Sequence, residues 1–304
     1  DAHEEQRRHA NLRGERVTGS EPVGLIPEND LLEAGRYYLR KANQTAGVPR
    51  AQLIETASQS LGLRVITAFD PDTRIVEYQA GLVDGALVKM TNREFVDELS
   101  TDSPAPGGGS IAALCGAQSA GLAAMVCNLT VGKKGYEAVQ DRVKEIAERC
   151  QADKDFFLDA VDADTDAFNR VMDSFRLPRK SDEQMQARDL AIAEATRGAT
   201  RVPLSVLERV ATLLEVVAEV AEIGNKNSLS DAGVAALTAQ SAAEGAYYNV
   251  LINLEGLAEL DDSGEPGFVA DARDRARAAL VECEQRATAI RAAVRSRLEQ
   301  AIEG

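Results

Sequence analysis

Tryptophan is absent from the 304 residues, histidine occurs twice, and aromatic side chains make up 4% of the chain. Both histidines, His3 and His9, fall at the start, so the rest of the chain can build neither a His-based metal site nor a His-dependent triad. Its chemistry must use carboxylates, amides, hydroxyls, lysines or backbone. The four cysteines, Cys115, Cys127, Cys150 and Cys283, form no C-x-x-C pair. Three lie on segments that read as apolar helix faces, which points to buried, reduced thiols rather than to disulfides or a metal. Positive charge is scarce: 34 basic against 49 acidic side chains give a net charge of -15. That balance repels phosphate backbones and anionic bilayers, and nucleic acid is excluded as an expected partner. The opening DAHEEQRRHA has no apolar core, so no signal peptide is expected and the location is expected to be cytoplasmic. The start at Asp1 reads as that of a fragment. The longest apolar stretch, 111 to 131, approaches membrane-spanning length, but it is rich in Ala and Gly and carries Gln118, Ser119 and Asn128. Burial inside a soluble bundle is the expectation, with no membrane partner.

What is present falls into two textures. Residues 1–82 alternate: EPVGLIP is a short apolar run between prolines, NDLLEAGRYYLRKAN a helix capped by Asn29 or Asp30, PRAQLIETASQSLGL a helix opened by Pro49, and RIVEYQ strand-like. This predicts a small α/β subdomain. Residues 83–90 read as a linker, and 91–304 as an all-α bundle. The bundle opens with TNREFVDELS, capped by Thr91 or Asn92, and continues in long helices near 110–130, 136–176, 182–223, 230–256 and 267–303. Pro203 is expected to kink or split the third of these long helices. The last helix sets Val269, Ala276, Leu280, Cys283, Ala287, Ile290, Val294 and Leu298 on one stripe.

Three constellations could carry chemistry. In SPAPGGGSIAALCGAQSAGLAAM, Gly107, Gly108 and Gly109 follow Pro106 and remove every Cβ before a helix that begins near Ser110. Free backbone N–H groups and a partial positive charge there suit a carboxylate, a phosphate or a polar ring edge. A tight turn forced by helix packing explains the glycines equally well, and the Lys and Ser/Thr of a P-loop are missing. Second, a stripe running Val143, Ile146, Cys150, Phe157, Val161, Phe168, Val171 or Met172, and Phe175 demands an apolar residue at 164, where the chain supplies Asp164. A carboxyl carried inward has its pKa raised toward the range useful for proton transfer. Asp162 and Asp166 share another face, and a solvated acidic patch or a helix break is the alternative for all three. Third, EIGNKNSLSDAG is followed by GAYYNVLINL. Capping explains Gly224 and one of Ser228 or Ser230 with Asp231, but not Asn225, nor Asn249 and Asn253, which share a face of an apolar helix and could pair with a heterocycle edge.

Taken together, APGGGS, DADTDAF, RLP and GNKNSLSDAG leading into NVLINL resemble the cyclodeaminase domain of the formiminotransferase-cyclodeaminase family over about residues 91–260, and the resemblance is expected to extend to the final helix. VTGSEPVGLIPENDLLEAGRYYL, LGL and FDPDTRIVEY resemble the end of the formiminotransferase domain. The resemblance implies an all-helical homodimer or larger ring. It implies conversion of 5-formiminotetrahydrofolate to 5,10-methenyltetrahydrofolate and ammonia, in histidine degradation. The substrate is then a tetrahydrofolate derivative, which can be polyglutamylated, and no cofactor is permanently bound. By the same resemblance Asp164 is the acid/base group with Asp162 as a second catalytic residue. Pro106, Gly107, Gly108, Gly109 and Ser110 line the folate pocket, and Asp166, Asn225, Ser230, Asp231, Asn249 and Asn253 fix the pterin or its side chain. Asp166 stands where relatives often have Glu. The transferase histidine belongs to an upstream subdomain, so transferase activity is not expected of this chain alone. Lys133, Lys134, Arg176, Arg179 and Lys180 either complement helix C-termini or hold an anionic tail. A methenyltetrahydrofolate cyclohydrolase and an inactive oligomerisation module are the alternatives.

Overall fold

The structure is a computed structural model that describes residues 2–21, 23–65, 67–82, 85–258 and 265–303. It divides into two units, Asp1–Asp84 and Gly85–Gly304.

In the first unit α1 spans Ala2–Leu12, α2 Glu28–Lys41 and α3 Arg50–Leu61. Helix α2 starts directly after Pro27 rather than at an Asn29 or Asp30 cap. Glu28 and Asp30 in its first turn and Arg40 and Lys41 in its last suit the helix dipole. Pro49 opens α3 and Gly62, at φ 68°, closes it in the left-handed region that favours glycine. The two helices cross closely at Gly35, where a Cβ would lie 2.2 Å from the Leu53 carbonyl oxygen. Leu31, Leu53, Ile54, Ala57 and Ile75 form the core of this unit. The strand expected at RIVEYQ is not there. Asp70 accepts a hydrogen bond from the Asp72 amide and Pro71 sits at the first helical position, so the segment folds as two short helices, α4 (Pro71–Arg74) and α5 (Val76–Gln79). The extended residue between them, Ile75, makes an isolated parallel bridge with Ile26, which is all that the described residues show of the β part of an α/β unit.

The second unit is an all-helical bundle. Leu87 is buried in its core, so the residues expected as linker belong in part to this unit. Helix α6 (Asn92–Leu99) opens with a capping box in which Thr91 and Glu94 exchange hydrogen bonds. Then follow α7 (Gly108–Asn128), α8 (Gln140–Phe175), α9 (Asp182–Ile223), α10 (Leu229–Ala258) and α11 (Phe268–Glu303). Helix α7 packs between α8 and α10; α9 lies against α7, α8, α10 and α11. Pro203 does not split α9, which runs unbroken from Asp182 to Ile223. Cys127, Cys150 and Cys283 are buried and Cys115 half-buried, all as free thiols. On α11 Ala276, Cys283, Ala287, Ile290 and Val294 of the expected stripe are buried, Val269 and Leu280 are half-buried and Leu298 is exposed. On α8 it is buried through Val161, after which Met172 and Phe175 are exposed. At 36 residues against 21 for α7, α8 is longer by about 20 Å at 1.5 Å per residue and outruns its neighbour.

Candidate functional site

Ser110, fully buried, fixes the junction between the start of α7 and the last third of α8. Its hydroxyl donates to the Val161 carbonyl oxygen at 2.8 Å and lies 3.3 Å from Thr165 Oγ1 and 3.4 Å from Asp164 Oδ2. This seats the Asp164 carboxylate directly on the glycine turn. A Cβ built on Gly109 would fall 2.2 Å from Asp164 Oδ1, so no larger residue fits while the carboxylate stays where it is. On the other flank a Cβ on Gly108 would meet Asn249 Nδ2 at 3.4 Å, and that amide donates to the Gly245 carbonyl oxygen at 2.8 Å. Pro106 and Gly109 are buried, Gly107 is half-buried and Gly108 exposed. The outcome is a bare backbone turn at the N-terminal end of α7, flanked by a carboxyl on one side and an amide on the other.

Burial pushes the Asp164 carboxyl above the ordinary carboxylate range, and the backbone amide and hydroxyl of Ser110 pull it part of the way back. A group so placed can take a proton and return it. Asp162 is differently engaged. Its two oxygens accept the Leu87 and Val88 amides at 2.9 and 3.2 Å, and its carboxylate fills the space of a Cβ at Gly85. It ties the segment 85–88 to α8. Asp166 is exposed. Asn253 donates to the Ala199 carbonyl oxygen at 2.9 Å and joins α10 to α9.

The third constellation divides. Asn225 is buried at the opposite end of α7: its amide N–H donates to Thr130 Oγ1 at 2.9 Å, its Nδ2 to the Leu129 carbonyl oxygen at 3.3 Å, and its Oδ1 accepts from Lys133 Nζ at 2.8 Å. It also caps the 3-10 turn Lys226–Ser228 that leads into α10. Ser230 is exposed and Asp231 half-buried in the same first turn. The 21 residues of α7 separate this end from Asp164 by about 30 Å at 1.5 Å per residue. Within one chain, then, the structure joins Gly107, Gly108, Gly109, Ser110, Asp164 and Asn249 and leaves Asn225, Ser230 and Asp231 apart. Sequence reasoning missed Thr165 beside Ser110 and Gly85 beneath Asp162; the second glycine of AGLVDGALVK was the one available signal for the latter. It also missed Tyr136, whose hydroxyl accepts the Lys226 amide at 2.9 Å.

These features define an all-helical bundle protein with a half-buried carboxyl set on a glycine turn at one end. Residues 91–265 match the family described as formiminotransferase-cyclodeaminase, and residues 1–81 match the formiminotransferase domain. The chain belongs to the formiminotransferase-cyclodeaminase family. It is 33% identical to formimidoyltransferase-cyclodeaminase of Rattus norvegicus over 98% of its own length and 54% of the relative's. It is 40% identical to methenyltetrahydrofolate cyclohydrolase of Methylorubrum extorquens over 55% of this chain and 80% of that one. The crystal structure of formiminotetrahydrofolate cyclodeaminase from Thermotoga maritima superimposes with a TM-score of 0.57 at 29% identity, covering 68% of this chain and 98% of that one. The chain thus spans about half the length of the curated formimidoyltransferase-cyclodeaminases it matches.

Proposed function

We propose that the helical unit is a formimidoyltetrahydrofolate cyclodeaminase, an ammonia-lyase that closes 5-formiminotetrahydrofolate to 5,10-methenyltetrahydrofolate. The observation that carries this reading is the half-buried Asp164 carboxyl held on the Gly109–Ser110 backbone. N10 adds its lone pair to the formimino carbon, forming the new C–N bond. The proton that N10 then loses passes to the Asp164 carboxylate. Asp164 returns it to the amino group on the same carbon, the C–N bond to that group breaks, ammonia departs, and the positive charge remains on the N5–C–N10 amidinium of the product. One carboxyl serves as base and then as acid, and a raised affinity for the proton suits the interval between the two transfers. The glycine turn admits the ring system against main chain, and Asn249 offers an amide to the pterin edge. Asp162 holds the 85–88 segment behind this pocket.

On this reading the protein acts in histidine degradation in the cytoplasm as a homodimer or larger homo-oligomer, takes folate that can be polyglutamylated, and carries no permanent cofactor. The first unit, a partial transferase domain, adds no transferase activity by itself. A cyclohydrolase acting on the product is the second reading, favoured by the 40% identity to the Methylorubrum extorquens protein. The test is absorbance of methenyltetrahydrofolate with ammonia measured alongside. Stoichiometric ammonia that is abolished in Asp164→Asn is expected; hydrolysis of methenyltetrahydrofolate without deamination moves the assignment to the cyclohydrolase, and full activity of Asp164→Asn overturns the acid/base role.

A further inference from the structure

We infer that the helical hairpin formed by the end of α8 and the start of α9 is the subsite for the 4-aminobenzoyl-glutamate half of the substrate, with γ-linked glutamates reaching Arg179 and Lys180 at its tip. The inference rests on the cyclodeaminase reading of Asp164 and adds where the rest of the folate lies.

Gly116 abuts Phe157 and Gly109 abuts Asp164, so α7 and α8 run in opposite directions and α7 begins level with Asp164. Helix α8 continues past that level to Phe175, a further length of about 17 Å at 1.5 Å per residue. Of the two long helices on which α8 packs, α7 and α9, only α9 accompanies this stretch. Asp164, Phe168, Val171 and Phe175 follow one another at spacings of four, three and four and share a face. On it Phe168 and Val171 are half-buried and Phe175 is 48% exposed. Met172, Leu177 and Met185 on the same hairpin are exposed too. Phe175 is nevertheless held: Arg188 of α9 donates to its carbonyl oxygen at 3.3 Å and lays a guanidinium over its ring, 5.5 Å from the centroid. An apolar strip that starts at the acid/base group and is fixed without being covered is a surface for a flat ring.

The charge of the tip decides what that ring carries. RVMDSFRLPRK, residues 170–180, has four basic residues against one acidic, in a chain of net charge -15. Asp173 pairs with Arg176. The side chains of Arg179 and Lys180 make neither an ion pair nor a hydrogen bond among the described residues. The last carbonyls of α8 are taken by the Arg176 amide and the Arg188 guanidinium, so capping of α8 does not account for these two cations. An anion from outside the chain does.

In 5-formiminotetrahydrofolate the 4-aminobenzoyl ring hangs on N10, the atom whose proton passes to Asp164. With the pterin on the glycine turn beside Asn249, the substituent on N10 leaves along the open face of α8. By standard bond lengths the benzoyl carbon lies about 6 Å from N10 and the γ-carboxyl of the first glutamate about 12 Å. By helix rise Phe168 is about 6 Å and Met172 about 12 Å beyond Asp164, and Arg176 about 18 Å. Arg179 and Lys180 follow it, so the first glutamate stops short of the tip and the carboxylates of further γ-linked glutamates meet it.

The test compares, on the full chain, deamination of 5-formiminotetrahydrofolate carrying one glutamate with that of the form carrying five. The wild type is expected to favour the longer form in kcat/KM and to lose the preference as salt rises. Arg179→Glu with Lys180→Glu is expected to cut the ratio of the two kcat/KM values at least about tenfold, through KM. Arg273→Glu with Arg277→Glu changes the net charge equally and is expected to leave the ratio as it is. Both of those arginines are exposed on α11, where Arg275 pairs with Glu208, about 39 Å along α9 from Asp182 by helix rise. Phe168→Ala, its fold checked by circular dichroism, is expected to raise KM for both forms alike. A wild type that treats the two forms equally, an unchanged ratio in the Arg179 and Lys180 variant, or an equal fall in the α11 variant overturns the tip as the site of the tail. An unchanged KM in Phe168→Ala overturns the strip as the seat of the ring. Absence of deamination of either form by the wild type is a different result and overturns the reading of Asp164 itself.

Discussion

Gly109 and Asp164 exclude any side chain from the space between them: a methyl on Gly109 would stand 2.2 Å from Asp164 Oδ1. The glycine is therefore a requirement of the carboxylate's position. Gly109→Ala is expected to push the carboxylate away from the Ser110 amide, lowering the deamination rate by about 100-fold through misplacement alone. Its cost in stability is expected to be modest, about 1–3 kcal/mol for an overpacked site. Steady-state rates beside urea unfolding separate the two effects; an unchanged rate would show that the carboxylate need not sit on the turn.

Asp164→Asn keeps the shape and removes the proton carrier. The turnover number is expected to fall by about 10²–10⁴, the usual share of one acid/base group. Because the folded protein raises the Asp164 pKa, its contribution to stability is complete below the ordinary carboxylate pKa and declines as pH rises through the raised value. Asparagine does not ionise. The variant should accordingly melt above the wild type near pH ~8, with the difference closing near pH ~3, below the ordinary range. The wild-type rate should show an acidic limb lying above that range. Calorimetry across this interval and a pH–rate profile provide the check.

Asp162 lies two residues away and should behave in the opposite sense. Removing its carboxylate leaves the Leu87 and Val88 amides without their acceptor, a loss of about 1–3 kcal/mol. Asp162→Ala should therefore lower the urea midpoint and expose the amides of residues 87 and 88 to hydrogen exchange. A fall in turnover number with stability and exchange untouched would return Asp162 to the chemistry.

Most of the bundle was legible because its helices alternate buried and exposed positions at 3.6-residue period, and Asp164 stood out as a break in such a stripe, whereas the buried Asp153 between Cys150 and Phe157 was passed over. The Thr91 capping box was legible for the same local reason. The strand at RIVEYQ failed because Asp70 and Pro71 supply a helix start that outweighs the β-propensity of Ile75 and Val76. The anchoring contacts of Asp162 were not legible because its partners are main-chain amides about 75 residues away, which leave no side-chain signature. The separation of Asn225 from Asp164 follows from direction: in an up-and-down bundle α7 and α10 run opposite ways. The N-terminus of α7 lies beside the last turns of α10, where Asn249 is, and far from the 3-10 turn before α10, which Asn225 caps.

Asp153 poses a different problem, a carboxylate with no exposed surface inside α8. Arg209 Nη2 lies 2.6 Å from its Oδ1 and Arg149 Nε 3.8 Å from its Oδ2. Burial raises its pKa while both arginines pull it down. Arg209→Met takes away the nearer cation and leaves the carboxylate uncompensated, a loss of about 3 kcal/mol by comparison with other buried pairs cut on one side. With that lowering influence gone the pKa rises further, so the penalty should grow as pH increases and shrink toward acid, where the protonated group needs no partner. Replacing both residues, Asp153→Leu with Arg209→Met, should restore much of the lost stability, since an apolar pair of similar volume has no ions to desolvate. Chemical denaturation of the two single variants and the double variant at two pH values measures the coupling. If Arg209→Met alone costs nothing, or its cost does not depend on pH, Asp153 is already protonated in the folded protein and the pair is a hydrogen bond rather than an ion pair.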